Sequence, residues 1–354
     1  MLIEIKAFDT LFFRNGRPFT MKNETWANSI FPPYPSTIYG ALRSAYFSNH
    51  IDEFDKANTC EDPTKDLIIN DIFYRVNNEN YYQLPLDLVI AKDEDKDANN
   101  EYKISLLEYK SSEGFESSAN PNINLLYSKE EVESLNNGLI ADIYLSEYLD
   151  GNANKLKARS MEECIKIESK VSIGIDDITH ASGDRLLYIE DMIRPHGITI
   201  CVDFSGIDLP ESGFMKLGGE GKVSYYFTRK NVKSYIDKMN FSGNKFKLYL
   251  STPAVFKNGW LPGWVDKNTL EGDIFGLRLK LKAAVIGRYI PVGGFDVKKR
   301  EPKIMYKAVP AGSVYYFEVL NDNACKIFKL LDGKSISEFD TAKEGFGICK
   351  IGRW

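Results

Sequence analysis

The sequence predicts an α+β chain built from two similar units, each a small sheet backed by helices. Its 354 residues are 43% hydrophobic, enough to fill two cores. Its 20 Tyr, 21 Phe and 26 Gly favour strands and turns over long helices. Both halves also close alike. Gly218-Gly219-Glu220-Gly221 leads into a strand in the first half, and Gly345-Phe346-Gly347 into a strand in the second.

In chain order, Ile3, Ile5 and Ala7 alternate with polar neighbours, which marks a strand, and Leu11-Phe12-Phe13 follows a turn at Asp9-Thr10. Asn15-Gly16 and Pro18 mark a further turn. Phe31-Pro-Pro-Tyr-Pro35 reads as a rigid extended segment ending at Ser36, the expected N-cap of a helix Thr37–Phe47. Ile38, Ala41, Leu42 and Ala45 share one face of that helix. Gly40 within it costs up to about 1 kcal/mol against alanine, which predicts that something approaches the helix closely there. Residues 91–165 read as an acidic insertion, partly mobile loop, with a short helix near Ser128–Leu135. Strands at Lys170–Ile175, Leu186–Arg194, Gly197–Phe204 and Val223–Phe227 complete a first unit, 1–229. The polar stretch 230–244 is the expected boundary. The second unit, 245–354, carries a strand from Phe246, a half-buried strand Leu277–Ile286 with a basic face, a strand Ser313–Leu320 and a helix Cys325–Leu331. Each half then runs strand, helix, paired strands, short helix, glycine-rich loop, strand. That is the β-α-β-β-α-β order of ferredoxin-like (RRM-like) folds.

Net charge is −5, but it is unevenly spread: +2 over 1–47, −6 over 48–90, −8 over 91–165 and +7 over 166–354. Phosphate responds to the local field, so the acidic block does not exclude a nucleic-acid partner. The densest basic stretch is 278–307, with nine Lys/Arg against Asp296 and Glu301. The five cysteines are dispersed without a Cys-x-x-Cys pair and read as reduced thiols. The acidic start, Met-Leu-Ile-Glu-Ile-Lys, is not expected to be a signal peptide, and no apolar run reaches the roughly 20 residues of a membrane span. A cytoplasmic protein without a membrane partner is expected.

The chemistry-bearing motifs favour anion binding over catalysis. In Gly213–Lys222, glycines at 218, 219 and 221 free the backbone for φ > 0, and Lys216 and Lys222 add charge; a tight turn and a phosphate cradle are both open readings. It is neither a P-loop nor a dinucleotide-binding fingerprint. Arg14 and Arg17 straddle a turn beside Phe19, an arrangement that suits phosphate forks and base stacking as well as solvated arginines. Ser36 and Thr37 at a helix start offer an anion site, with Tyr39, Gly40 and Arg43 nearby. Ile290-Pro-Val-Gly-Gly-Phe-Asp296, followed by Lys298-Lys299-Arg300, is a further basic, glycine-bearing loop. His50, His180 and His196 lack partner spacing, and neither a zinc site, a Gly-x-Ser-x-Gly nor a His-Glu-x-x-His is present. Asp176-Asp177 and Glu190-Asp191 read as structural or solvated. No metal and no cofactor are expected.

Seven blocks together resemble one family: "FDTLFFRNGRPF", "SIFPPYPSTIYGALRSAYF", "YYQLPLDLVI", "KVSIGIDDITHASGDRLLYIEDMIRPHGITICVDFSG", "GFMKLGGEGKVSYYF", "IPVGGFDVKKREPKIMYKAVPAGSVYYFEV" and "EGFGICKIGRW". In this order they are similar to the third subunit of the Cmr complex, a RAMP family of the type III-B CRISPR RNA-targeting machinery. The resemblance implies tandem ferredoxin-like RAMP domains and no catalytic activity. It implies a subunit that grips the 5′ repeat-derived tag of the guide RNA and bridges the large polymerase-like subunit to the backbone subunit. On this chain the implied RNA-binding residues are Arg14, Arg17, Ser36, Thr37, Tyr39, Gly40, Arg43, Gly218, Gly219, Glu220 and Lys222. Lys222 departs from the arginine that many relatives carry, which keeps the charge and loses the planar fork. The alternative is a sister class, a metal-independent endoribonuclease that processes CRISPR transcripts, for which His50 is the candidate acid or base.

Overall fold

The computed structural model describes residues 1–14, 26–92, 94–111, 120, 122–175, 182–230, 243–296, 301–322 and 324–354. The chain is mixed α/β, with many strands and few helices.

The first half is organised by β1 (Leu2–Ala7), whose Ile3 and Ile5 point into the core while Glu4 and Lys6 take the other face. α1 (Pro35–Asn49) buries Ile38, Ala41, Leu42 and Ala45, the face expected from the sequence, and leads to β2 (Ile68–Val76) and β3 (Glu79–Gln83). Further along come β4 (Gly138–Ala141), α2 (Asp142–Leu149), β5 (Lys157–Ser160), the long hairpin β6 (Ile165–Ile175) and β7 (Ser182–Pro195), then β8 (Ile198–Ser205), β9 (Ser212–Lys216) and β10 (Val223–Thr228). The main sheet runs β9-β10-β1-β8-β2-β3-β4-β5, ending on the short strand Tyr102–Lys103. At its centre, β10-β1-β8-β2 is antiparallel throughout. Counting those four in chain order, they lie fourth-first-third-second.

The second half comprises β11 (Lys245–Leu250), β12 (Glu271–Ile274), β13 (Leu277–Val285), β14 (Val314–Val319), α3 (Ala324–Leu331) and β15 (Cys349–Arg353). Its sheet runs β12-β13-β14-β11-β15. Without the edge strand β12, the order is second-third-first-fourth, again antiparallel. α3 packs Ala324, Ile327 and Leu331 onto Phe246, Leu248, Phe317 and Ile351.

Two expectations need correction. Each half keeps only one of the two expected helices. In the first, the short helix before the glycine-rich loop is replaced by β9, because Gly206, Pro210 and Gly213 break helical continuity there. In the second, the residues between β11 and β13 form no helix; Pro253, Gly259, Pro262 and Gly263 punctuate them, and Ala254 bridges to Val309. Residues 91–165 also differ from a loose insertion. No helix forms near Ser128–Leu135, where the strand Val132–Glu133 pairs with Leu88–Ala91. The helix is α2, and Leu139, Ile140, Leu145, Tyr148, Leu149 and Leu156 are fully buried.

All of those except Leu139 belong to a core shared by both halves. The face of the second sheet opposite α3 presents Tyr249, Ala283, Val314 and Tyr316, which pack against Phe73, Tyr82, Leu145, Tyr148 and Leu149 of the first half. Lys247 and Lys350 lie in this seam. Lys247 Nζ sits 3.2 Å over the Tyr148 ring, and Lys350 Nζ is 3.1 Å from Asp71. The expected basic face of β13 is internally matched, Lys280 and Arg278 to Glu271 and Lys282 to Glu318.

Candidate nucleic-acid interface

The chain leaving β1 runs along the end of the main sheet. Leu11 exchanges backbone hydrogen bonds with Ile193 of β7. Phe12 O then accepts the Gly219 N–H at 2.8 Å, Phe13 O accepts the Ile30 N–H at 2.9 Å, and Ser29 Oγ accepts the Phe13 N–H at 2.7 Å. Arg14 bridges Ser29 and is exposed. Three segments are thus stitched side by side: the β9–β10 turn, residues 11–14, and residues 29–31 that lead to α1.

The turn is a hairpin connection between two strands. Gly219 O accepts the Lys222 N–H at 3.3 Å, and Glu220 and Gly221 have φ of +55° and +62°. Positive φ at both central positions makes it a type I′ turn, which suits the twist of a hairpin. Gly218 is required for packing: with φ of +84°, a Cβ there would lie 2.3 Å from Phe12 O. The Glu220 and Gly221 amides have no acceptor among the described residues, and both residues are exposed. Lys222 reaches Thr10 Oγ1 at 3.2 Å.

α1 starts two residues earlier than the sequence suggests. Tyr34 is its N-cap, Pro35 fills the first turn, and Ser36 makes no capping bond, which corrects the expected Ser36 cap. Thr37 N–H donates to Tyr34 O at 2.9 Å, while the Ser36 amide has no acceptor among the described residues. The first turn holds no acidic residue, so the positive end of the helix dipole is uncompensated. The Tyr34 hydroxyl donates to Pro291 O at 2.9 Å. That bond brings the base of the 290–296 loop to the helix start.

The remaining positions divide. Gly40 is exposed, and a Cβ there would meet nothing within 4 Å. Among the described residues, therefore, nothing makes the close approach expected at Gly40. Tyr39 is buried in the core, and burial pushes its hydroxyl up to about 12, so its ring is not available for stacking on a base. Arg43 is held internally: it donates to Thr64 Oγ1 at 2.8 Å, Asn58 Oδ1 at 2.9 Å and Asp62 Oδ2 at 2.6 Å. It anchors the turn after α1 to the helix. Arg17 and Phe19 lie outside the described residues, as do His180, Asp176-Asp177 and Lys298–Arg300. Thr10 and Ser29, the hydroxyls that tie Lys222 and residues 11–14 in place, are not legible in the sequence, because a lone hydroxyl carries no pattern that singles it out.

The catalytic candidates have structural surroundings. His50 caps the far end of α1, about 20 Å along the helix from its start. Its ring stacks on Tyr46 at 4.3 Å, and its Nδ1 lies 3.0 Å from Tyr46 O. Asp191 accepts from Trp26 Nε1 and Ser169 Oγ, and Glu190 from Ser172 Oγ. No group of three or more His, Cys, Asp or Glu positioned for a metal occurs among the described residues.

A family model described as CRISPR-associated protein (Cas_Cmr3) matches residues 3–354. No curated protein sequence matches. A chain of a type III-B Cmr-beta complex bound to cognate target RNA and AMPPnP is similar at TM-score 0.50 and 16% identity, with 89% of this chain and 86% of that chain covered. A chain of the same kind of complex bound to cognate target RNA is similar at TM-score 0.51 and 15% identity, with the same coverage. At those identities the likeness concerns the fold.

Proposed function

The chain belongs to the Cas_Cmr3 family of CRISPR-associated proteins, and on that premise we propose that it is a non-catalytic, RNA-binding subunit that holds the 5′ repeat-derived tag of the guide RNA. It is a subunit of a type III-B Cmr effector complex. In our reading each half is a ferredoxin-like unit reduced to one helix, and the matching strand orders of the two sheets support this. The subunit bridges the large polymerase-like subunit and the backbone subunit, and it works in the cytoplasm.

The observation that carries the RNA reading is the stitching of three motifs along one edge. The type I′ turn, residues 11–14 and the start of α1 put unpaired amides at Ser36, Glu220 and Gly221 on the same rim as Arg14 and Lys222. Cations, and amides without an acceptor among the described residues, fit a phosphate backbone and need no particular base. Gly40 leaves room beside the helix. Arg43 contributes by fixing the helix, since its Nε and Nη2 donors are committed to Thr64, Asn58 and Asp62. The nuclease alternative needs a histidine beside the glycine turn, and His50 stacks on Tyr46 at the opposite end of α1.

The test uses the reconstituted effector complex with guide RNA. Arg14→Ala and, separately, Gly40→Trp should leave assembly intact and expose the 5′ tag to ribonuclease. Full tag protection in both variants would remove this edge from the RNA path. The nuclease reading is tested by incubating the purified chain with repeat RNA without metal; cleavage that disappears in His50→Ala would replace the non-catalytic reading.

A further inference from the structure

The main sheet has a second surface that the tag groove does not use. On β1, β10 and β9 the residues facing away from the first core form three cross-strand rows: Glu4–Phe227–Ser212, Lys6–Tyr225–Phe214 and Phe8–Val223–Lys216. Ile3, Ile5, Met215 and Tyr226 take the other face and fill the core. Further along the sheet, Cys201 and Phe73 on this outer side are covered by the shared core. Over the rows above it is uncovered: Phe8 is 73% exposed, Phe214 59% and Val223 41%.

The rings form a continuous path. Phe8 and Phe214 have centroids 6.1 Å apart, Phe214 and Tyr225 5.5 Å, and Tyr225 and Phe227 6.0 Å, the last pair stacked. Arg229 lies over the Phe227 ring at 4.9 Å while its Nε donates to Glu4 at 2.6 Å. The one acid in the rows is therefore buried and matched. Lys6 and Lys216 are exposed and make no ion pair among the described residues. Monomeric surfaces rarely leave a row of four neighbouring aromatics, two exposed and two half-buried, without a partner.

We propose that this face is a stacking platform for single-stranded RNA, with bases on Phe8, Phe214 and Tyr225 and phosphates at Lys6 and Lys216. Two features favour RNA over an apolar protein face. The ring path is flanked by a cation on each side, Lys6 on β1 and Lys216 on β9, so stacked bases would keep their phosphates within reach of positive charge. The platform also ends at the type I′ turn, because Phe8 N–H donates to Val223 O just after Lys222, so a strand leaving the proposed groove meets the platform at once. The inference rests on the reading of this chain as an RNA-contacting subunit, and it is independent of which residues hold the tag.

The experiment uses the reconstituted complex loaded with guide RNA carrying 4-thiouridine, photocrosslinked and mapped by mass spectrometry. Wild-type chain should crosslink within 212–228. Phe214→Ala/Tyr225→Ala should abolish those crosslinks and weaken guide binding by about 30-fold or more, the loss of two stacked bases. Phe214→Tyr should retain both. Lys6→Ala/Lys216→Ala should reduce the salt slope of binding by about 1.4, two phosphate contacts on a single strand. Circular dichroism of each variant checks folding. Unchanged affinity with no crosslinks in 212–228 would overturn the proposal. So would loss of a neighbouring subunit from the ring variant with its RNA contacts unchanged, which would make the face a protein seat. Gly40→Trp reports on the groove alone, so failure of the groove reading would appear as intact tag protection in that variant while the platform crosslinks persist.

Discussion

At the scale of single residues, the glycine turn separates packing from function. Gly218 has no room for a side chain, since a Cβ would collide with Phe12 O, and its φ of +84° strains any L-residue. Gly218→Ala should destabilise the chain by at least about 2 kcal/mol in chemical denaturation, strain and collision together. Gly221→Ala adds only the strain of positive φ, about 1–2 kcal/mol, because space around it is open. Equal effects at the two positions would contradict the Phe12 contact. Lys247 is a second residue whose environment sets a measurable sign. Burial pulls its ammonium from 10.5 to about 8, with Asp87 opposing the shift. The unfolded chain therefore binds more protons between those values. Folding stability from this group is lowest below about pH 8 and rises with pH toward 10. Across that window the stability of wild type should rise relative to Lys247→Met; parallel pH profiles would refute it. From sequence, Lys247 is one of several lysines near a strand start. Only the sheet that buries its second face distinguishes it.

At the scale of elements, α1 and the glycine turn were legible because local pattern dominates there: Ile38, Ala41, Leu42 and Ala45 repeat at helical spacing, and glycines mark positive φ. What was not legible was the exchange of helices for other connections, and the ordered part of 91–165. In that region sixteen acidic side chains set the composition, while Leu139, Ile140, Leu145, Tyr148, Leu149 and Leu156 do the packing. Composition reports the surface, and burial is decided by strands far away in sequence. Tyr39 failed for a related reason, since its helical position alone does not reveal that the core receives its ring. The expected loop status of this region thus becomes a test of α2. Leu149→Ala should cost about 2–5 kcal/mol, the usual range for a buried leucine. Urea titration followed by tyrosine and tryptophan fluorescence would measure it. A cost below about 1 kcal/mol would mean that α2 is peripheral after all.

At the scale of the whole molecule, the seam between the halves decides whether they are separate folding units. The second sheet is covered on both sides, by α3 on one and by the first half on the other. In the seam, Asp87 is fully buried and accepts hydrogen bonds from Tyr148 and Tyr316, one from each half. Tyr249 donates to Gln83 O at 2.5 Å, and Lys350 pairs with Asp71 beneath Tyr82. Cutting the chain at the polar stretch that reads as a boundary would expose Lys247, Tyr249, Val314, Tyr316 and Lys350 together and leave their partners unmatched. Buried polar groups that lose partners each cost about 1–3 kcal/mol, which is a large share of the stability of a domain this small. Residues 245–354 expressed alone should therefore lack a cooperative thermal transition and self-associate, as read by near-UV circular dichroism and sedimentation. The intact chain should unfold in one transition that Tyr316→Ala shifts as a whole. A monomeric fragment with its own sharp transition would show instead that each half has a sufficient core, and that the seam only orients two independent units. The distinction matters for the RNA readings, because the start of α1 is tied to the second half through Tyr34 and Pro291. If the halves fold as one, the rim that carries Ser36, Arg14 and the glycine turn is set before any RNA arrives.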